Sequence, residues 1–359
     1  MRLQHALVTD TSPVPDAAPT PGGRGERASG ALRRGSRAAA ARGLLIAGCA
    51  FFLAHAAPAH ANDSVAGLTP SGVILSTTDD VAMVEERLYI SLERVRVAYV
   101  FRNLTSKDIT TEVMFPLPPI WLADEGDKDH PSPWDKNPVN FQLTVDGQRR
   151  SPKIDVVPVA MPRGGSAAAK SRDARLLGTN ITARLRALGL EGSNSPSAGG
   201  GIDALPEATR QALEAEGILS GGEPNWGHSI RYHWTQTFPA GRDVRIEHTY
   251  NVYPWKTFYA PGLLEAPYCI DDATQRAIDE RSNGGGQIAQ TFGYILQTAN
   301  SWAGPIGKFH LTLDKVSEDN VLSLCLDGLT KVSPTTFVLE RRNYTPRQDL
   351  DILVVTHGY

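Results

Sequence analysis

The sequence predicts a mainly β fold: an antiparallel, β-sandwich-like core with a two-helix insertion and one further short helix. Three observations predict it. Period-2 alternation recurs along much of the chain, as where Val95, Val97, Tyr99 and Phe101 alternate with Arg96 and Ala98. Turn signals separate these runs, and Asp146-Gly147 is the strongest of them. Helical spacing is confined to three short stretches, two of them next to linkers of small residues.

In chain order, residues 72–76 form a short β-rich run, followed by strand signals at 88–91 and 95–101. Residues 103–108 read as a turn, with 110–115 as the returning strand. Phe115-Pro116-Leu117-Pro118-Pro119 ends that strand, because proline cannot donate to a ladder. Residues 140–147 are a further strand closed by the Asp-Gly turn. A helix is expected over 173–190, where Leu177, Ile181, Leu185 and Leu188 share a face. A second is expected from Glu207 to Glu216, closed by Gly217. The two read as an insertion, about 171–220, packed on a sheet. Ile230, Tyr232, Trp234, Gln236 and Phe238 then alternate on one face, as do Val244, Ile246, His248, Tyr250 and Val252 after the turn at 239–242. This reads as a hairpin with Phe238 opposite Val244, Trp234 opposite His248 and Tyr232 opposite Tyr250. Asp272 and Gln275 resemble a capping box opening a helix that runs to about Arg281. Strands are expected near 292–296, 309–313, 321–325, 336–339 and 350–355.

The region before these elements is of another kind. Arg33, Arg34, Arg37 and Arg42 lead into an apolar block at 43–54, and Ala59-His60-Ala61 ends just before Asn62. Basic region, short apolar core and A-x-A site together form the pattern of a secretory signal peptide, 42–61 within a leader of 1–61. The apolar block falls short of the about 20 residues a membrane helix needs. The working protein is therefore expected to begin at Asn62 as an exported β-rich region, 62–359, in the periplasm or outside the cell. Ile46-Ala47-Gly48-Cys49 resembles a lipoprotein box. The apolar run continues past it through Phe51, Phe52 and Leu53, so cleavage after Ala61 is expected rather than a lipid anchor at Cys49.

Loss of the leader removes seven arginines and three acids and leaves 29 basic against 36 acidic residues. A net charge of about −7 argues against nucleic acid as a partner. No second long apolar run is present, so no membrane span is expected. Cys49 goes with the leader, leaving Cys269 and Cys325. Two thiols in an oxidising compartment are expected to pair, with separate buried thiols as the alternative.

The chain resembles an exported bacterial family known as domain of unknown function 4424. The resemblance rests on Asn62-Asp63-Ser64, on residues 95–103 (VRVAYVFRN) and on Phe115-Pro116-Leu117-Pro118. It continues in 237–242 (TFPAGR), 244–250 (VRIEHTY), Tyr268-Cys269, Tyr294-x-Leu296-x-Thr298 and residues 300–309 (NSWAGPIGKF), with Asp203-Ala204-Leu205-Pro206 in the helical segment. It implies export and a mostly β architecture, and no known activity. A weaker resemblance is to VIT domains, which share the order strand, Asn turn, F-P-L-P and a strand after Pro/Ala-Gly.

Catalytic chemistry has little support in the residues. Of the six histidines after the leader (His130, His228, His233, His248, His310, His357), none has a metal-ligand spacing, and no cofactor is expected. His248, on an apolar face, is expected to be a hydrogen-bonded core residue. G-x-S-x-G is absent. Asp79-Asp80 would point to opposite faces of a strand, and Asp271-Asp272 reads as a helix cap. The acids Asp124, Glu125, Asp127 and Asp129 lack the glycine and terminal glutamate of a calcium loop. Among six tryptophans, Trp234 and Trp302 read as core. Trp121 and Trp134, in a Pro- and Asp-rich loop, are the first choice for a recognition patch. The expectation is a non-enzymatic binding or structural protein with an envelope protein or glycan as partner. The alternative is an envelope hydrolase assembled only in three dimensions. A deep cleft with a histidine and two carboxylates would favour the enzyme.

Overall fold

The computed structural model describes residues 64–69, 72–121, 131–160, 177–190, 201–262, 264, 268–282 and 286–357. The leader with Cys49, the acids of loop 122–130 and the linkers at 164–170 and 192–200 lie outside them. So does the side chain of Trp121.

The first strands are β1 (Ser64–Thr69), β2 (Gly72–Leu75), β3 (Val81–Ser91), β4 (Arg94–Asn103), β5 (Ile109–Pro116) and β6 (Ile120–Trp121). Then come β7 (Gln142–Val145), β8 (Gln148–Arg150), β9 (Lys153–Ala160) and β10 (Thr179–Asn180). Helices α1 (Thr182–Ala187) and α2 (Glu207–Glu216) precede β11 (Leu219–Ser220), β12 (Glu223–Pro224), β13 (Gly227–Phe238), β14 (Asp243–Asn251) and β15 (Trp255–Phe258). Helix α3 (Asp272–Glu280) and β16 (Gln287–Tyr294) lead to a 3-10 turn, Gln297–Ser301. The last strands are β17 (Ile306–Asp314), β18 (Val321–Ser323), β19 (Thr330–Lys331), β20 (Thr336–Tyr344) and β21 (Leu350–His357).

An eight-stranded sheet runs β19-β20-β17-β3-β4-β14-β7-β8, and a second runs β10-β9-β13-β5-β1-β2 with β6 also on β13. A third, four-stranded sheet runs β15-β16-β21-β18. The three share one core. Leu88, Val97, Phe101 and Ile246 from the first meet Val113, Phe115, Ile230 and Tyr232 from the second and Tyr294, Leu350 and Ile352 from the third. Among the described residues, ladder pairing is antiparallel with one exception, β17 beside β3. Parallel neighbours need a crossover of a dozen or more residues, and most of the chain lies between these two.

The expected hairpin over residues 230–252 is not one. β13 pairs with β5 and β9, whereas β14 pairs with β4 and β7 in the other sheet. The turn at 239–242 is an arch from sheet to sheet, and Trp234 faces His248 across the core with ring centroids 5.4 Å apart. The turn at 103–108 is a second arch, from β4 to β5, so residues 110–115 do not return alongside β4. Alternation was read correctly: the residues named in β13 and β14 are buried. Facing residues of an arch and paired residues of a hairpin obey the same parity, so pattern alone assigns a face and leaves the partner open.

The two arches lie side by side and are tied together by Asn103, which is 1% exposed. Its Nδ2 donates to the carbonyls of Lys107 (2.7 Å) and Phe238 (2.8 Å). Its Oδ1 accepts from the backbone and hydroxyl of Thr105. From the second arch, the Ala240 N–H donates to Asp108 Oδ1 at 2.8 Å.

The Asp-Gly hairpin forms as read, joining β7 to β8, with Asp146 and Gly147 both at positive φ (48° and 76°). α2 also forms as read and ends at Gly217 in the left-handed region. The helix expected over 173–190 is shorter within the described residues. Leu177 is helical, the chain leaves the helix at Gly178, which turns at φ 82° where β10 pairs with β9, and α1 follows from Thr182. A Cβ on Gly178 would lie 2.7 Å from Val159 Cβ, so the chain passes where only glycine fits. Leu177, Ile181 and Leu185 are buried, yet they are not one helical face. At α3 the cap is Asp271, whose Oδ1 accepts from Thr274 N at 2.7 Å, one residue before the expected Asp272. Gln275 bonds Tyr259 and Asp279 with its side chain.

Candidate functional site

On strands of the eight-stranded sheet, residues that alternate with the core face outward and line up across the ladders. One row reads His310, Arg87, Ala98, Glu247, Thr144, and the next reads Thr312, Tyr89, Arg96, Thr249, Gln142. Beside them Arg94 is opposite Asn251. Long polar side chains surround the single methyl of Ala98, and the result is an open depression of about 520 Å3. Asn140, Gln142, Thr249 and Asn251 line it together with Arg87, Arg94 and Arg96. Binding pockets of globular proteins fall in this size range.

The arginines differ in how they are held. Arg87 Nε lies 2.5 Å from Glu85 Oε1. Arg96 lies over the Tyr89 ring, 5.7 Å from its centroid, and the Tyr89 hydroxyl donates to Asp314 Oδ2 at 3.1 Å. Among the described residues, no carboxylate forms an ion pair with Arg94 or Arg96. Gln142 accepts from Arg149 at 2.7 Å through its carbonyl, which turns its amide nitrogen toward other partners. Glu247 is the only carboxylate among the lining residues.

The residues named from sequence are dispersed. Cys269 and Cys325 form a disulfide, their Cα atoms 5.0 Å apart. His248 is buried among the rings of Tyr99, Phe115, Phe141 and Trp234. Burial pushes its pKa down to about 3, so it is neutral. Trp234 and Trp302 are core residues. Trp134 is 41% exposed and packs against the edge of His228, with centroids 5.0 Å apart. Asp79 and Asp80 are exposed in a bend. Trp255 and Phe258, on edge strand β15, are also exposed. Among the described residues no helix is long and apolar enough to cross a membrane, and no group of His, Cys, Asp and Glu is placed to hold a metal ion.

Two buried titratable groups escaped the sequence. His233, on the face of β13 opposite Trp234, is 3% exposed. Its Nδ1 lies 2.5 Å from Glu112 Oε1 on β5, and its Nε2 lies 3.6 Å from Asp155 Oδ1 on β9. Thr235 donates to the other Glu112 oxygen at 2.9 Å. Asp155 and Glu112 together hold the imidazolium above the usual histidine range against the opposing effect of burial. Glu86 points into the core and is fully buried, which pushes its carboxyl up to about 8 against a smaller pull from Tyr294. Alternation puts His233 on the face of β13 opposite Ile230, Tyr232 and Trp234, which says nothing of its burial. No local signal tells an outward position under covering structure from one in water.

A histidine with two carboxylates is the arrangement named above as favouring an enzyme, but its chemistry differs from a catalytic triad. Both ring nitrogens face carboxylates, so neither is left to take a proton from a nucleophile. The Ser229 hydroxyl, four residues earlier on β13, accepts from Arg231 Nε at 3.2 Å and is fully buried. A depression of about 610 Å3 reaches His233 and Thr235 but is lined by neither Glu112 nor Asp155.

A family model described as a domain of unknown function, number 4424, matches residues 61–353. No curated protein matches the chain. Among solved structures, a Legionella pneumophila protein named for nutrient binding is similar at 14% identity and a TM-score of 0.39, over 77% of this chain and 68% of its own. That similarity is too low to equate the two folds.

Proposed function

The chain belongs to the family of domain of unknown function 4424, and from that premise we propose that it is an exported, non-enzymatic binding protein of the cell envelope. Its ligand sits in the depression on the outward face of the eight-stranded sheet. The observation that carries this reading is the depression itself. Polar side chains from β17, β3, β4, β14 and β7 converge around Ala98 on a rigid scaffold. The leader pattern at 42–61 supports export, and the disulfide is of the kind that persists in oxidising compartments. Trp121 and Trp134 form a second candidate recognition patch, separate from the depression, since Trp134 packs on His228 of the other sheet. Trp134 is 41% exposed, which leaves its ring open to a partner.

The occupied ring nitrogens of His233 weigh against the hydrolase. The test is to incubate the processed protein with a periplasmic extract and identify retained solutes by mass spectrometry, beside the Ala98→Phe variant and a broad hydrolase screen. Retention by the wild type that is lost in Ala98→Phe is the expected outcome. Turnover abolished by His233→Gln or Glu112→Gln would overturn the reading.

A further inference from the structure

Resting on the depression as the binding site, we infer that its ligand carries an oxyanion, a carboxylate or a phosphate, held by the guanidinium groups of Arg94 and Arg96. The two are neighbours of one parity on β4, so they project from the same face about 7 Å apart. Both are exposed, and neither has an ion-pair partner among the described residues. Their neighbour Arg87 contrasts with them, because Glu85 already neutralises it. Two uncompensated cations side by side repel each other. Here they sit in a depression of a chain that is acidic overall once the leader is removed, and an oxyanion relieves that repulsion by accepting from their paired N–H groups. Arg96 is oriented in advance by the Tyr89 ring, which lowers the ordering cost of binding. Asn251 lies opposite Arg94, and Gln142 lies beyond Thr249 in the row of Arg96, so a neutral amide extends each row. Glu247, one row away, accepts a hydroxyl from the other end of the ligand. A hydroxylated acid fits this layout, and so does a sugar phosphate.

The test is titration calorimetry on the processed chain with its disulfide intact, at low ionic strength. The probes are galacturonate, inorganic phosphate and galactose. Galacturonate or phosphate is expected to bind saturably, with affinity at least tenfold weaker in the R94Q/R96Q double variant and in 0.5 M salt. The exposed control Arg242→Gln is expected to bind like wild type, and melting curves of all variants report that they are folded. Absence of anion binding, or anion binding that R94Q/R96Q leaves intact, overturns the inference. Galactose binding as tightly as galacturonate, kept in R94Q/R96Q and lost in Ala98→Phe, overturns the anion class while sparing the depression as a site. Anion binding kept in Ala98→Phe overturns the site and the function reading together.

Discussion

His233 and Glu86 each keep a proton that the unfolded chain gives up at lower pH, so both tie stability to pH in the same direction. For His233 the folded pKa is raised by Asp155 and Glu112. Its contribution is complete below the unfolded value of about 6.5 and is lost as pH rises through the folded value. For Glu86 the folded value is about 8 against 4.5, so stability is full below 4.5 and declines from there to about pH 8. The wild type is expected to melt at progressively lower temperature from pH 5 to pH 9. Glu86→Gln, which keeps the shape and removes the ionisation, is expected to be about 3 kcal/mol more stable than wild type at pH 7. It is also expected to flatten the profile. Urea denaturation at pH 5, 7 and 9 checks both, and an unchanged slope would sink the assignment. His233→Gln is expected to cost about 1–3 kcal/mol at pH 6 and progressively less as pH rises, because the wild-type imidazolium then gives up its proton. None of this was legible in the sequence. Glu86 follows Glu85 in an ordinary polar stretch, and it is a bulge between Met83 and Glu85 that turns it into the core.

At the scale of the element, the paired arches depend on one side chain. Asn103→Ala removes two donated and two accepted bonds at a buried site, and a loss of about 2–4 kcal/mol is expected. Thr105→Ala, at the exposed side of the same turn, is expected to cost about 1 kcal/mol or less. Equal losses in denaturation would show that Asn103 has no special place. The stretches that carry the family resemblance, 95–103 and 237–250, coincide with these arches and the strands they join. Part of their pattern therefore encodes a corner of the fold. Local elements were legible where local chemistry decides them, as in the Asp-Gly hairpin and the Gly217 cap. They were misread where a neighbour decides. Between Leu177 and Ile181 the approach of β9 at Gly178 overrides the helical spacing, and the arches form because β4 and β5 each find a better partner elsewhere.

At the scale of the molecule, the disulfide ties the segment before α3 to the end of β18 across a separation of 56 residues. The Cys269→Ser/Cys325→Ser double variant is expected to lose about 4 kcal/mol in the chain-entropy picture. Guanidinium unfolding measures this, with intact mass confirming the oxidised wild type. A loss below about 1 kcal/mol would show that the α3 region is held by its own small core of Tyr259, Ile278 and Leu353. The two cysteines were legible because pairing needs only a compartment and a count. The depression was not, since Arg87, Ala98, Glu247 and His310 become neighbours only when β17, β3, β4 and β14 align.

Sequence by itself determined the strand character, the core-facing residues of β4, β13 and β14, the Asp-Gly hairpin, the α2 helix and the cysteine pair. Each follows from composition or from spacing within a few residues. Tertiary structure alone decided which strands pair, which turns cross between sheets, and which outward residues end up buried or grouped around Ala98. Period-2 alternation has two faces and no memory of partners. The choice among partners is made by the shared core, whose free energy depends on surfaces hundreds of residues apart.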